Sequence, residues 1–226
     1  MRGIAFDLDD TLYPYEHFRI SGFGAVARAV EAQEGVSALR VFSLLCRARL
    51  ERNGREFQSL AGELGLPAGH IDTWLEIFRT HIPDILLPAG MAGTLSRLRS
   101  DGWRVGILTN GDPATQRRKL DALGVEPLVD ACLCAEDVTR GGKPAAACFD
   151  AITAALGSAA SRTIYVGNDP FTDVRGARRA GLRTIRLRTA ACPGTLADDA
   201  DLVVDRLDTL TTAAPRLMRQ ELTHVA

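Results

Sequence analysis

Two hydrophobic patterns alternate along the chain. Short apolar runs stopped abruptly by polar residues predict buried strands at 3–8, 103–108, 131–135, 163–166, 184–187 and 202–204. Between them, apolar residues recur at helical spacing over about 90–100, 113–123, 144–156 and 173–180. Gly102, Gly124, Gly157 and Gly181 stand just past those stretches, where left-handed caps close helices. Strand and helix in strict alternation predict parallel crossovers and a doubly wound α/β sheet. The first interval breaks the rhythm. About ninety-five residues separate strand one from strand two, and 16–82 read as almost wholly helical, with segments near 16–33, 37–52, 55–64 and 70–80. Pro83 and Pro88 bracket the return. The simplest organisation is a helical subdomain inserted after strand one, its Phe and Leu positions serving as its own core. Beyond Leu210 the pattern weakens towards a terminal helix that frays.

Composition narrows the class. The 226 residues suffice for one α/β domain with an insertion, and a chain this long buries about 70–75% of its unfolded surface. A net charge of −1 argues against a protein that grips a nucleic acid polymer or an anionic membrane by bulk charge. No run approaches the ~18 apolar residues of a membrane helix, and the N-terminus lacks a secretory pattern, so a cytoplasmic location is expected. The five cysteines (Cys46, Cys132, Cys134, Cys148, Cys192) have no metal-ligand spacing and read as small buried hydrophobes in a reducing compartment. The basic residues are lopsided: twenty-five arginines against two lysines, Lys119 and Lys143. A lysine that persists in such a chain calls for a reason. Lys119, mid-helix beside Arg117 and Arg118, reads as a surface residue.

Ligands of open α/β sheets bind beyond the carboxyl ends of the strands. Strand one delivers Asp7, Asp9, Asp10 and Thr11 to that rim; strand two delivers Thr109, Asn110 and Gly111. The turn before the helix at 144 delivers Lys143, and strand four delivers Asn168, Asp169 and Asp173. Clustered carboxylates require a cation, and oxygen-only donors suit Mg²⁺ better than zinc. A hydroxyl, a lysine and the helix N-terminus opening at Asp112-Pro113 suit a phosphate dianion. A carboxylate can attack phosphorus, and a second one two residues later can protonate the leaving oxygen and then activate water.

These residues resemble the haloacid dehalogenase superfamily. Asp7-Leu8-Asp9-Asp10-Thr11-Leu12-Tyr13 is similar to its first motif, Thr109-Asn110-Gly111 to its second, Gly142-Lys143-Pro144 to its third, and Gly167-Asn168-Asp169-x3-Asp173 to its fourth. The stretch 174–181 resembles the segment that these proteins carry just beyond the fourth motif, and the likeness runs from residue 3 to about 207. The resemblance implies a Rossmann-like catalytic core (1–14 and 88–226) with an α-helical cap (15–87). It implies Asp7 as nucleophile and Mg²⁺ ligand, and Asp9 as general acid/base with its carbonyl on the metal. Thr109 and Lys143 would hold the phosphoryl group, Asn110 and Gly111 would contact the phosphate, and Asp173 would be an outer metal ligand through water. Dehalogenase members lack the second aspartate, so Asp9 points to a phosphatase or phosphotransferase. The fourth motif departs from the usual Gly-Asp: Asn168 comes after Gly167, leaving either Asn168 or Asp169 for the metal position, with Asp169 or a shared arrangement as strong as Asn168 alone.

The expected substrate is a small phosphomonoester: a nucleotide, a sugar phosphate or a phosphoglycolate-like acid. The motif-one flank is similar to members acting on pyrimidine mononucleotides. Thr11, Tyr13, Tyr15 and His17, close after the nucleophile, are candidates for substrate contact. Packing at the cap hinge is the rival role for Tyr13, Tyr15 and His17. Among Arg47, Arg49, Arg52 and Arg55, one arginine such as Arg47 reaching the leaving group competes with a salt-bridged face built on Glu51–Arg55 and Arg52–Glu56. A mutase-type phosphotransferase and a member retained for binding because of Asn168 are the rival functions. The sequence does not set the oligomeric state; a homodimer is compatible with it.

Overall fold

A computed structural model describes residues 1–51, 54–189, 192 and 199–219. It divides into two compact units, Met1–Pro14 with Leu86–Ala226, and Tyr15–Ile85. The first unit is built on six parallel strands: β1 (Arg2–Phe6), β2 (Trp103–Thr109), β3 (Ala131–Cys134), β4 (Thr163–Gly167), β5 (Arg183–Leu187) and β6 (Leu202–Val204). Their spatial order is β3-β2-β1-β4-β5-β6. This is the doubly wound arrangement, in which strand order reverses between β1 and β4 and opens a crevice at their carboxyl ends. The central strands are buried on both faces, which is why they appear in sequence as unbroken apolar runs rather than alternations.

The helices of the second unit are α1 (Tyr15–Glu34), α2 (Ala38–Leu50), α3 (Glu56–Leu64) and α4 (Gly69–Thr80). Phe23, Val26, Val30, Val41, Leu45, Phe57, Leu60 and Trp74 form its own core, as the apolar pattern predicts. Leu39 and Leu50, by contrast, are exposed. Back in the first unit come α5 (Met91–Ser100), α6 (Pro113–Leu123), α7 (Ala135–Val138), α8 (Ala146–Ala155), a π-helical turn (Pro170–Arg175) leading into α9 (Gly176–Arg179), and α10 (Leu210–Arg219). The π-helical turn and α9 refine the sequence expectation: helical backbone starts at Pro170 rather than 173 because the Asp169 carboxylate accepts from the amides of Phe171 and Thr172. Helix α6 agrees closely with its sequence signals. Asp112 caps it by accepting from Thr115 N at 2.8 Å, Pro113 opens it, and Gly124 closes it at φ +60°.

One apolar core joins Ala5, Leu108 and Tyr165 of the sheet to Phe149 and Ile152 of α8 and Ala177 of α9. Cys134 and Cys148 are buried as expected, whereas Cys46, Cys132 and Cys192 are only partly covered; all five are free thiols. Among the described residues no helix is long and apolar enough to cross a membrane. Arg52 and His224 lie outside the described residues.

The start of α9 packs so closely on α8 that a Cβ at Gly176 would stand 2.7 Å from the Phe149 ring and 3.0 Å from Pro144. Because Phe149 is itself wedged edge-on against Tyr165, it has little room to yield. Gly176→Ala should therefore lower unfolding stability by about 1–3 kcal/mol. Urea denaturation would measure it, and an unchanged midpoint would contradict this packing.

Candidate active site

The crevice at the ends of β1 and β4 holds a buried charge cluster. Asp7 continues β1 by one residue, its amide donating to Val166 O at 2.9 Å. The chain then folds back on itself, with Thr11 N and Leu12 N both donating to Leu8 O. Asp10 takes φ +56°, a left-handed value that aspartate tolerates better than most residues. The turn leaves Asp7 pointing into the crevice while Asp9 is directed towards α6.

Lys143 is 3% exposed, and its ammonium donates to Asp7 Oδ1 at 2.7 Å, Asp173 Oδ1 at 2.7 Å and Tyr165 Oη at 2.8 Å. The Tyr165 hydroxyl in turn donates to Leu108 O at 2.8 Å. All three N–H bonds of the ammonium are thus used, by groups from β1, β4 and the turn after β4. Burial works against the lysine's charge, but Asp173 and Asp7 more than offset it and hold its pKa well above the ordinary value. Burial pushes the Asp7 carboxyl up to about 7; Lys143 opposes the rise and Asp173 adds to it. The backbone of Lys143 is fixed by Asn110, whose Oδ1 accepts from Lys143 N at 2.8 Å and whose Nδ2 donates to Lys143 O at 3.0 Å.

Gly167 makes room for Asp173. A Cβ there would collide with the Asp173 carboxylate, which lies directly over the α-carbon. Asp173 is fully buried, and its second oxygen accepts from Asp169 N at 3.0 Å. The Asn168 amide oxygen accepts from Thr11 Oγ1 at 3.4 Å, and its carbonyl is held by the buried Arg186 at 3.3 Å. Thr109 is buried at the end of β2, and Gly111 lies two residues on at φ +117° with the Gln116 amide against its α-carbon.

The crevice therefore gathers Asp7, Thr11, Thr109, Asn110, Gly111, Lys143, Asn168 and Asp173, but several expected contacts are rearranged. The Asp169 Oδ1 caps the adjoining helical turn. Asp173 bonds Lys143 directly. The Asn110 side chain holds the Lys143 backbone. The N-terminus of α6, expected to offer free N–H groups to an anion, has its Thr115 amide occupied by Asp112. Tyr13 is buried and donates to Asp9 Oδ1 at 2.6 Å. In the helical unit His17 is exposed, and Arg47 pairs with Glu63 at 2.6 Å, an exposed ion pair of the salt-bridged kind. Arg49 pairs with Glu16 and Arg19 with Glu56.

The largest correction concerns Lys119. It is 2% exposed rather than on the surface, and its ammonium donates to both oxygens of Asp9, at 2.7 and 3.0 Å. Gln116, one turn earlier on the same face of α6, donates to Asp9 Oδ2 at 3.1 Å and to Asn110 O. A sequence signal for this exists: 116, 119, 120 and 123 form one helical stripe with Leu120 and Leu123, so Gln116 and Lys119 share the buried face.

A family model of haloacid dehalogenase-like hydrolases matches residues 1–181. The chain belongs to the haloacid dehalogenase-like hydrolase family. Glyceraldehyde 3-phosphate phosphatase of Methanocaldococcus jannaschii is 29% identical over 194 residues, spanning 83% of this chain and 85% of that one. Phosphoglycolate phosphatase of Cereibacter sphaeroides is 33% identical over 192 residues, spanning 81% and 83%. A HAD phosphatase from Thermococcus onnurineus superposes with a TM-score of 0.62 over 95% of this chain and 98% of that one, at 22% identity, and shares the fold.

Donor chemistry tests whether a hard cation fits this hydrolase. Among the described residues no three His, Cys, Asp or Glu side chains converge as a metal cluster. Asp7, the Asp9 carbonyl and the Asn168 amide are oxygen donors, and Mg²⁺ commonly takes one or two carboxylates and keeps waters. By donor chemistry these oxygens, with the Asp169 carboxylate beside them, suit Mg²⁺.

Asp7 also sets a pH dependence. Its folded pKa of about 7 lies above the 3.8 of an unperturbed aspartate, so its contribution to stability is complete below about 4 and lost as pH rises through 7. The metal-free protein should therefore lose stability between about pH 4 and 7 and change little above that, and Asp7→Asn should flatten that slope in thermal melts. An equal slope in the variant would contradict the assignment.

Proposed function

We propose that this hydrolase cleaves a small phosphomonoester through an aspartyl-phosphate on Asp7, with Mg²⁺ as cofactor. The observation that carries the reading is the buried Asp7 carboxylate at the β1 terminus, one oxygen held by Lys143 at 2.7 Å. In this scheme Asp7 forms a bond to phosphorus as the bond to the leaving oxygen breaks, and Asp9 supplies the proton that the leaving oxygen takes. Water then attacks the aspartyl-phosphate, gives its proton to Asp9 and releases phosphate, which restores both aspartates.

The chain's own residues do the positioning. Lys143 keeps Asp7 oriented and offsets charge as the phosphoryl group arrives, while Thr109 and the backbone at Asn110 and Gly111 receive phosphoryl oxygens. Asp7, the Asp9 carbonyl and Asn168 would hold Mg²⁺, which when bound draws off phosphoryl charge. Asp169 is the other candidate: its Oδ1 caps the adjoining helical turn, as the Asn168 amide oxygen accepts from Thr11. Asp173 acts through Lys143. The relatives named for three-carbon and two-carbon phosphate esters favour a small phosphorylated aldehyde, acid or sugar over a polymer. In this reading the helical unit is the cap that discriminates among such esters.

Hydrolysis of p-nitrophenyl phosphate should require Mg²⁺, stop with EDTA and fall at least a thousandfold in Asp7→Asn; activity surviving that substitution would sink the mechanism. Lys143→Arg should lose most activity, because a planar guanidinium cannot meet Asp7, Asp173 and Tyr165 from one point. A panel of nucleotides, sugar phosphates and phosphoglycolate-like acids would identify the ester.

A further inference from the structure

Arg186 belongs to none of the four motifs. It lies on β5 beside Gly167 of β4 in the strand register and is 0% exposed. A guanidinium is costly to bury, so the bonds it makes there carry weight. Its Nε donates to the Asn168 carbonyl at 3.3 Å, and its Nη2 donates to Cys192 O at 3.0 Å, which anchors it to the segment after β5. The Asn168 carbonyl belongs to the same planar peptide unit as the Asp169 N–H, and in a trans unit the two point in opposite directions. That N–H donates to Oδ2 of Asp173, itself buried, at 3.0 Å. One peptide unit is thus held at both ends by buried ionic side chains. Its oxygen faces a cation and its N–H faces a carboxylate, the orientation that the peptide dipole favours, and both bonds are charge-assisted. The side chains flanking this unit are Asn168 and Asp169, the two candidates for the metal in the fourth motif.

We propose that Arg186 is a positioning residue for metal binding. By fixing the Asn168–Asp169 peptide unit against Asp173, it sets the direction in which both side chains leave the backbone and preorganises the fourth-motif oxygens for Mg²⁺. The proposal rests on the proposed Mg²⁺ site and is the same whether Asn168 or Asp169 supplies the donor. Residues that orient a metal ligand from behind commonly matter to affinity almost as much as the ligand itself. Charge alone would act the other way, because a cation near the site disfavours a metal ion. The role therefore predicts a sign that a purely electrostatic effect of Arg186 would reverse.

The test titrates Mn²⁺, which shares the preference of Mg²⁺ for oxygen donors, into the substrate-free protein and reads the free ion by electron paramagnetic resonance. Arg186→Met should weaken Mn²⁺ binding about tenfold or more. Arg186→Lys keeps the charge but loses the Nε–H that meets Asn168; it should shift affinity in the same direction, and it tests the proposal if Arg186→Met does not fold by circular dichroism. In hydrolysis, the Mg²⁺ concentration for half-maximal rate should rise while the rate at saturating Mg²⁺ changes much less. Thr184→Val, on the same strand, removes the hydroxyl that bonds Asp201; it should lower stability and leave Mn²⁺ affinity unchanged. Unchanged or tighter Mn²⁺ binding in a folded Arg186 variant, or an equal loss in Thr184→Val, would overturn the positioning role. Wild-type protein that binds no Mn²⁺, or Asp7→Asn that binds it as tightly, would instead remove the metal site on which the role depends.

Discussion

The buried ammonium of Lys143 is the contact on which the rest of the site depends. It joins Asp7 at the end of β1, Tyr165 within β4 and Asp173 in the turn beyond β4, and its backbone is held by Asn110 after β2. Two carboxylates in a water-poor crevice repel each other and resist ionisation; a single cation between them makes the arrangement tenable. Gly167 lacks a side chain so that Asp173 can occupy the space above it, and Tyr165 completes the ammonium's third bond. The strand reversal between β1 and β4 supplies the gap in which these groups meet.

The same arithmetic of charge recurs on the next aspartate with different neighbours. Asp7 faces the crevice and shares its lysine with Asp173. Asp9 faces α6 and receives a lysine of its own, with Tyr13 and Gln116 filling the remaining acceptor positions. Two carboxylates separated by one residue are thereby held in separate surroundings, an arrangement suited to separate roles. The Leu8 turn, with Asp10 left-handed, is the local geometry that sends them in different directions.

Much of this is legible in the residues. The six strands and the main helices are predicted by run length, periodicity and the glycines that close the helices, because a parallel sheet buried on both faces demands continuous apolar runs. The motif residues fall at strand ends, and the topology then collects Asp7, Thr109, Asn110, Lys143 and Asn168. Lys119 reads wrongly as a surface residue because its neighbours in sequence are arginines, whereas its neighbours on the helix are Gln116, Leu120 and Leu123. Asp169 resembles a metal ligand by spacing; its position at the start of a helical turn also gives its Oδ1 a capping role that spacing does not reveal.

The sequence by itself determined which chemistry is available: a strand-end carboxylate, a second two residues on, a lysine, a hydroxyl, and the parallel order that brings them to one rim. These are properties of local pattern and topology. Only the tertiary structure decided which group each polar atom engages. Lys119 lies 110 residues from Asp9, and Lys143 lies 136 from Asp7, so neither pairing could be read from local pattern. Such pairings depend on the rotational phase of a helix and the depth of a crevice. At this burial an ammonium without acceptors would be costly, so each lysine lies where the fold supplies them.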